Sequence, residues 1–473
     1  LEPDPERPLR LDATREEALA RVAELVAQAW RSFDRFRPEE PPLDDDLRRL
    51  IEGPLPQGAT PVGQALGEAA EILDRSIAQA RPRYFAFIGS SGLEVGALGD
   101  FLSHTYDINL AVDARAATVV EHQAVGWVAE FVGYPAAGGA FTSGGTISNV
   151  TALVAARERA MPGARRSGLG GRRVAVYCSE EAHYSVTRAV ELLGIGSDNL
   201  RAIAIDGLRR MRPDALAAAI DRDLAEGTTP IAVVATAGTT LTGGVDPLLE
   251  IAEVCEARGV WLHVDGAYGL PAAAVRPQTF AGLPRADSCS VDAHKWLYLP
   301  KACGVVLTRH EGAFAGAFAH EQGYLPHQRH ELHGADITLE YSRPFRALKA
   351  WLAFRTHGAA QFRAAIERNL HEADLLYRQA QLTEDFEVLA HTPALSIVPV
   401  RHVPPGVADP NAHNEALARA IQDDGRIFLA SALIDDDVWL RPCFVNYRTS
   451  EDDVLAVLEV ARELGERIAG GAA

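Results

Sequence analysis

Leu19, Val22, Leu25, Val26, Trp30 and Phe33 recur every three to four residues, the spacing of one apolar face on a helix. Asp12 precedes them as a candidate side-chain cap, so a helix is expected over 12–36. Pro38, Pro41, Pro42, Pro54, Pro56 and Pro61 then break regular structure, and a second helix is expected over 62–79. This arm has no evident core of its own. It is expected to pack on another part of the molecule or on a second subunit.

From about residue 83 the pattern changes to short β-branched runs alternating with helical stretches. The runs start at Val174, Leu200, Ile231, Val260, Ser288 and Gly304, with helices expected over 184–193, 213–225 and 247–258. Such alternation predicts an α/β fold with a mostly parallel sheet, on which ligands bind at the carboxyl ends of strands. A long helix is expected over 343–378. Beyond it come apolar runs near 386–400 and 426–433, a strand at Val438–Leu440 and a last helix over 451–468. The expected organisation is a helical arm (1–82), a large α/β domain (83–355) and a small α+β domain (356–473). There are no internal repeats and no low-complexity segments.

Composition narrows the function classes. The 473 residues carry a net charge of −18, which opposes binding to nucleic-acid phosphates or anionic lipid. No apolar run reaches the ~18 residues of a membrane span. The opening Leu1-Glu2-Pro3-Asp4 does not resemble a secretory signal. Five scattered cysteines without a CxxC pair form neither a disulfide framework nor a zinc site, and a cytoplasmic location is expected. Lysine occurs only at Lys295, Lys301 and Lys349, so chemistry that needs a lysine has three candidates.

Four segments fall where such a sheet presents residues to a ligand. Ser143-Gly144-Gly145-Thr146 precedes a helical stretch, and backbone N–H groups at a glycine-rich helix start attract an anion. Asp265 ends an apolar strand, where a carboxylate is costly without a cation or strong donor. Ser290-Val-Asp292-Ala-His294-Lys295 puts a lysine just after a strand, where burial favours a nucleophilic amine. His183 follows the strand from 174 and could stack on a flat ring. Taken singly, each has an ordinary alternative: a capped helix, a satisfied buried aspartate, a surface lysine or a structural histidine. Taken together they supply an anion cradle, a carboxylate for a pyridine nitrogen, a ring partner and an amine for an aldehyde. Those are the parts needed to hold pyridoxal phosphate.

Leu262-His-Val-Asp-Gly-Ala-Tyr268 and Asp292-Ala-His-Lys-Trp296, with Ala235-Thr-Ala-Gly-Thr-Thr240, resemble the group II pyridoxal-phosphate-dependent amino-acid decarboxylases, the family of aromatic L-amino-acid decarboxylase. The resemblance implies an aspartate-aminotransferase-type (fold type I) architecture and a homodimer with active sites at the subunit interface, wrapped by the arm. It implies that Lys295 takes the cofactor aldehyde, that Asp265 pairs with the pyridine nitrogen and that His183 stacks on the ring. Thr240 would touch the ring edge. Gly145 and Thr146, helped by Ser143 and Gly144, would hold the phosphate, and His294 would contact the phosphate or ring. Asp292 stands where some relatives have asparagine, and a carboxylate there repels a phosphate.

Tyr324 resembles the proton donor on the family's mobile catalytic loop. Phe87 and Ser90, in Phe85-Ala-Phe-Ile-Gly-Ser90, resemble the segment that lines the substrate pocket. The implied reaction is decarboxylation of an L-amino acid to the amine, an aromatic substrate being expected first. Asp107-Ile-Asn-Leu110 replaces a phenylalanine of the aromatic relatives and leaves acidic or diamino substrates open. An aldehyde synthase or C–C lyase of the same fold and a catalytically silent binding protein are the other readings.

Overall fold

The computed structural model describes residues 9–35, 37, 43–320 and 333–471. Seven strands form the central sheet: β1 (Gly138–Thr142), β2 (Val174–Ser179), β3 (Leu200–Ile203), β4 (Thr229–Thr236), β5 (Trp261–Asp265), β6 (Ser288–Asp292) and β7 (Gly304–Thr308). Their order is β1-β7-β6-β5-β4-β2-β3. Only β7 runs antiparallel to its neighbours. This is the expected mostly parallel sheet, and all six predicted runs are strands of it.

Successive residues alternate between two cores. Val233 and Ala235 face one and Ala232 and Val234 the other, all fully buried. A sheet covered by helices on both faces therefore reads as unbroken apolar runs. The helices Ala116–Val132 and Leu248–Arg258 cover one face, and Gly145–Ala160 covers the other. Register aligns the strand ends: Thr236 pairs with Asp265, and Asp265 with Ser290. Gly304 pairs with both Thr142 and Asp292.

The small sheet is antiparallel, in the order β10 (Ser431–Ile434), β11 (Asp437–Leu440), β9 (Val400–His402), β8 (Phe386–Val388). It shares a third core with the helices Pro410–Asp424 and Glu451–Ala469. Ser450 caps the latter in a reciprocal box with Asp453. The long helix Ala347–Gln381 is interrupted at Gly358, whose φ of 69° only glycine adopts freely. Its residues up to Leu370 pack in the large core, and those from Ala373 pack in the small one. The boundary drawn at 355/356 falls inside this helix.

The arm forms the helices Arg15–Phe33 and Val62–Asp74, shorter than expected, and between them a short helix Asp45–Ile51, capped by Asp44, in the stretch where the prolines were expected to break regular structure. Among residues of known exposure, Arg15–Phe33 buries only Ala18 and Val62–Asp74 none. Strand β1 and the helices Glu94–Tyr106 and Pro410–Asp424 were not anticipated from the pattern. No described helix is long and apolar enough to cross a membrane. All five cysteines are buried free thiols.

Candidate functional site

The carboxyl ends of β1, β2, β4, β5 and β6 open onto one cavity of about 280 Å³. Its floor is the turn after β1, where Ser143, Gly144, Gly145 and Thr146 lead into the helix starting at Gly145. The bare backbone is required there. A Cβ at Gly145 would come within 2.9 Å of Ala267 Cβ and 3.0 Å of Asp292 Oδ2. Behind the turn, a Cβ at Gly304 would lie 2.6 Å from Thr142 Oγ1.

Lys295 leaves the end of β6 and lines the cavity, with Nζ 3.1 Å from Asp292 Oδ2. Asp292 Oδ1 is buried and accepts no hydrogen bond. His294 also lines the cavity, its Nε2 lying 3.8 Å from Asp292 Oδ2. Burial holds the His294 imidazole below its usual pKa, against the opposing pull of Asp292. The other two lysines are engaged elsewhere. Lys301 Nζ donates to Gln79 Oε1, and Lys349 Nζ donates to Asp100 and to the Pro300 carbonyl.

Asp265, 6% exposed, faces the cavity from the end of β5. Its Oδ1 accepts from Ser290 Oγ (3.2 Å) and the Ala267 N–H (3.2 Å), and its Oδ2 accepts from Asn149 Nδ2 (2.8 Å). His183 enters after β2, and its Nδ1 accepts from the Ser185 N–H at 3.2 Å. Burial lowers its pKa, opposed by Asp265. Thr240 lines the edge, and its carbonyl accepts from Arg441, a guanidinium buried from the small-domain side. Thr236 Oγ1 is buried without a partner at the end of β4.

The structure thus brings Lys295, Asp265, His183, Thr240, Asp292, His294 and the 143–146 turn together. Ile88 lines the cavity, whereas its predicted neighbours Phe87 and Ser90 do not. Phe87 is 59% exposed, and Ser90 Oγ donates to the Leu299 carbonyl. Tyr324 lies outside the described residues. Sequence reasoning missed Asn149, Ser185, His263, Ser290 and Thr236. Asn149 lies within the segment that flagged the glycine turn, and its position in the first turn of a helix packed on the sheet was the available signal.

An amine and a glycine-rich helix start meet at the strand ends of a mostly parallel sheet, an arrangement that suits an enzyme binding an anionic aldehyde. The family described as "Pyridoxal-dependent decarboxylase conserved domain" matches residues 44–402. The chain is 31% identical over 453 residues to the aromatic-L-amino-acid decarboxylase of Bacillus atrophaeus, covering 92% of each. It is 34% identical over 436 residues to the L-2,4-diaminobutyrate decarboxylase of Rhizobium meliloti, covering 88% of this chain and 86% of the relative. The crystal structure of Catharanthus roseus tryptophan decarboxylase in complex with L-tryptophan superimposes with a TM-score of 0.86, at 23% identity and covering 97% and 99% of the two chains. The chain belongs to the pyridoxal-dependent decarboxylase family and is a pyridoxal-phosphate-dependent carboxy-lyase of fold type I.

The residues present fit that cofactor. The cradle that a Cβ would fill suits a phosphate, and the orphaned Thr236 hydroxyl gives the cavity an unused polar group. Lys295 is the one lysine lining the cavity.

Proposed function

We propose that this protein decarboxylates an L-amino acid to its amine and carbon dioxide, with aromatic amino acids as its preferred substrates. Pyridoxal phosphate supplies the sink for the electron pair left when carbon dioxide departs. Lys295 would hold its aldehyde carbon and hand it to the substrate amine. Asp265, fixed by three donors and ending at the cavity, would keep a proton on the pyridine nitrogen. His183, kept neutral by burial, would cover the ring face, and Thr240 its edge. The glycine turn, Ser143 and Thr146 would take the phosphate, with His294 beside it. Tyr324 would return a proton to the substrate carbon. Ile88, between the predicted Phe87 and Ser90, would border the substrate.

One observation carries the substrate reading: among the described residues, Lys295 is the only lysine or arginine lining the cavity, and Asp292 already engages it. An acidic side chain would find no second cation there, whereas Ile88 offers an apolar wall. The similarity to a diaminobutyrate decarboxylase supports a second reading, a diamino substrate.

A homodimer, with the arm wrapped on its partner, fits an arm without a core. It also fits the exposed Leu98, Phe101, Leu102 and Tyr106 on the helix Glu94–Tyr106. The test is kcat/KM for amine formation from L-tryptophan, L-tyrosine, L-phenylalanine, L-glutamate and L-2,4-diaminobutyrate. The aromatic substrates should lead by at least about tenfold. A lead by glutamate or diaminobutyrate would overturn the substrate reading.

A further inference from the structure

Behind the cavity, a chain of side chains runs along one face of the sheet to the amino end of β5. Trp261 Nε1 lies 2.9 Å from Ser288 Oγ, and Ser288 Oγ 2.9 Å from His263 Nδ1. His263 Nε2 lies 3.0 Å from Asn149 Oδ1. Asn149 Nδ2 then branches to Asp265 Oδ2 (2.8 Å) and Ser185 Oγ (3.0 Å), and Ser185 Oγ reaches His183 Nδ1 at 2.8 Å. Asn149, Ser185, His263 and Ser288 are each at most 1% exposed.

The direction of every bond follows from the ends. An indole can only donate, so Ser288 accepts from Trp261; at the other end the Asp265 carboxylate only accepts, which turns Asn149 Nδ2 to Asp265 and Asn149 Oδ1 to His263, so that Nε2 donates and Nδ1 accepts from Ser288. With Nδ1 accepting, a neutral His263 carries its proton on Nε2 and donates to Asn149 Oδ1. Complete burial pushes the His263 pKa down to about 4, which keeps it neutral at ordinary pH. The amide of Asn149 is therefore locked one way round, with its nitrogen toward Asp265. The flipped amide would set oxygen against carboxylate and nitrogen against an N–H. On the other branch, the backbone N–H of Ser185 points at His183 Nδ1, so that nitrogen is an acceptor and the His183 proton sits on Nε2. One amide thus serves the carboxylate and the Ser185 hydroxyl that reaches His183 Nδ1.

We propose that Asn149 is a positioning residue that orients Asp265 toward the pyridine nitrogen of the cofactor and holds the Ser185 hydroxyl that hydrogen-bonds His183. This rests on the reading of Asp265 given above. Asn149 borders the cavity beside Asp265 and acts through the two groups it holds. Removing it would leave Asp265 Oδ2, Ser185 Oγ and His263 Nε2 without their partner in a fully buried setting, so their orientations would relax together.

The test is a double-mutant cycle on the purified full chain. It reads the apparent dissociation constant of pyridoxal phosphate by equilibrium dialysis and the absorbance spectrum of the bound cofactor. Asp265→Ala should weaken binding and change the spectrum. Asn149→Ala should weaken binding on the order of tenfold and move the spectrum toward that of the Asp265 variant. The double variant should match Asp265→Ala within about twofold, because Asn149 acts through that carboxylate. Asn149→Asp keeps the shape and the acceptor for His263 but deletes both donors. It should weaken binding at least as much, and it serves if the alanine variant does not fold. An unchanged constant and spectrum in both Asn149 variants would overturn the proposal. So would an Asn149→Ala effect that persists in full without Asp265, which marks a purely structural role. An Asp265→Ala protein with native binding and spectrum would instead overturn the reading of Asp265, and this inference with it.

Discussion

Lys295 Nζ and Asp292 Oδ2 lie 3.1 Å apart, one turn apart in the chain, and only one of the two Asp292 oxygens has a partner. The lysine proposed to take the cofactor is thus also the counter-ion of a buried carboxylate. Asp292 is 3% exposed, so that contact is the partner that offsets its burial.

Lys295→Ala should lower turnover by on the order of 10³-fold or more, because Lys301 and Lys349 are held at Gln79 and Asp100. It should also destabilise the cofactor-free protein by about 1–3 kcal/mol, since Asp292 is left unpaired. Urea denaturation measures this. Adding Asp292→Ala should restore part of the lost stability and none of the activity. Full stability in the single variant would show that the pair contributes nothing to folding.

His263 sets an acid limit. Its pKa is about 4 in the folded state, below the 6.5 of an exposed imidazole. The unfolded chain therefore binds the extra proton first. Its contribution is fully present above pH 6.5 and is lost as pH falls toward 4, at up to about 1.4 kcal/mol per pH unit. His263→Gln should show a shallower loss of stability between pH 6.5 and 4, read from denaturation midpoints.

Glu372 works in the opposite direction. Burial raises its carboxyl to about 7 from 4.5, while Asn369 and Arg368 pull it down. A raised carboxyl contributes stability that is present below pH 4.5 and lost as pH rises through 7. Glu372→Gln can still accept from Asn369 and does not ionise. It should gain on the order of 2 kcal/mol relative to the parent between pH 5 and 8. An equal pH slope in both proteins would remove Glu372 from the account.

Tyr324, proposed as the proton donor, would decide the outcome of the reaction. A phenol placed as proton donor typically contributes ~10²–10⁴-fold. Tyr324→Phe should slow amine formation and divert flux under air to aldehyde, ammonia and hydrogen peroxide. The ratio of amine to peroxide reads this directly. Amine formation at the parent rate without added peroxide would assign the proton to another group, with His320, His327 and His330 the nearest in sequence.

The sheet was legible because its strands are buried on both faces, so Ile231–Ala235 and Val305–Leu307 read as continuous apolar runs. Strand β1 escaped because Gly138 and Gly139 carry no β signal. A Cβ at Gly139 would lie 2.7 Å from the Val306 carbonyl, so packing against β7 demands glycine there. The antiparallel direction of β7 depends on pairing partners and not on its own pattern. At the site, Lys295, Asp265 and His183 could be read because their residue types are unusual at strand ends. Asn149, Ser185 and His263 could not, since their importance lies in contacts spanning 36 and 114–116 residues. The domain boundary was obscured by the long helix, whose two ends serve two cores.

The central claim is that Lys295 carries pyridoxal phosphate for amino-acid decarboxylation. Borohydride reduction of the purified holoenzyme, followed by peptide mass spectrometry, tests it most directly. The account predicts a single phosphopyridoxyl-lysine, at Lys295, with stoichiometric loss of carbon dioxide release as labelling proceeds. Labelling at Lys301 or Lys349, or a labelled Lys295 with carbon dioxide release intact, would contradict it.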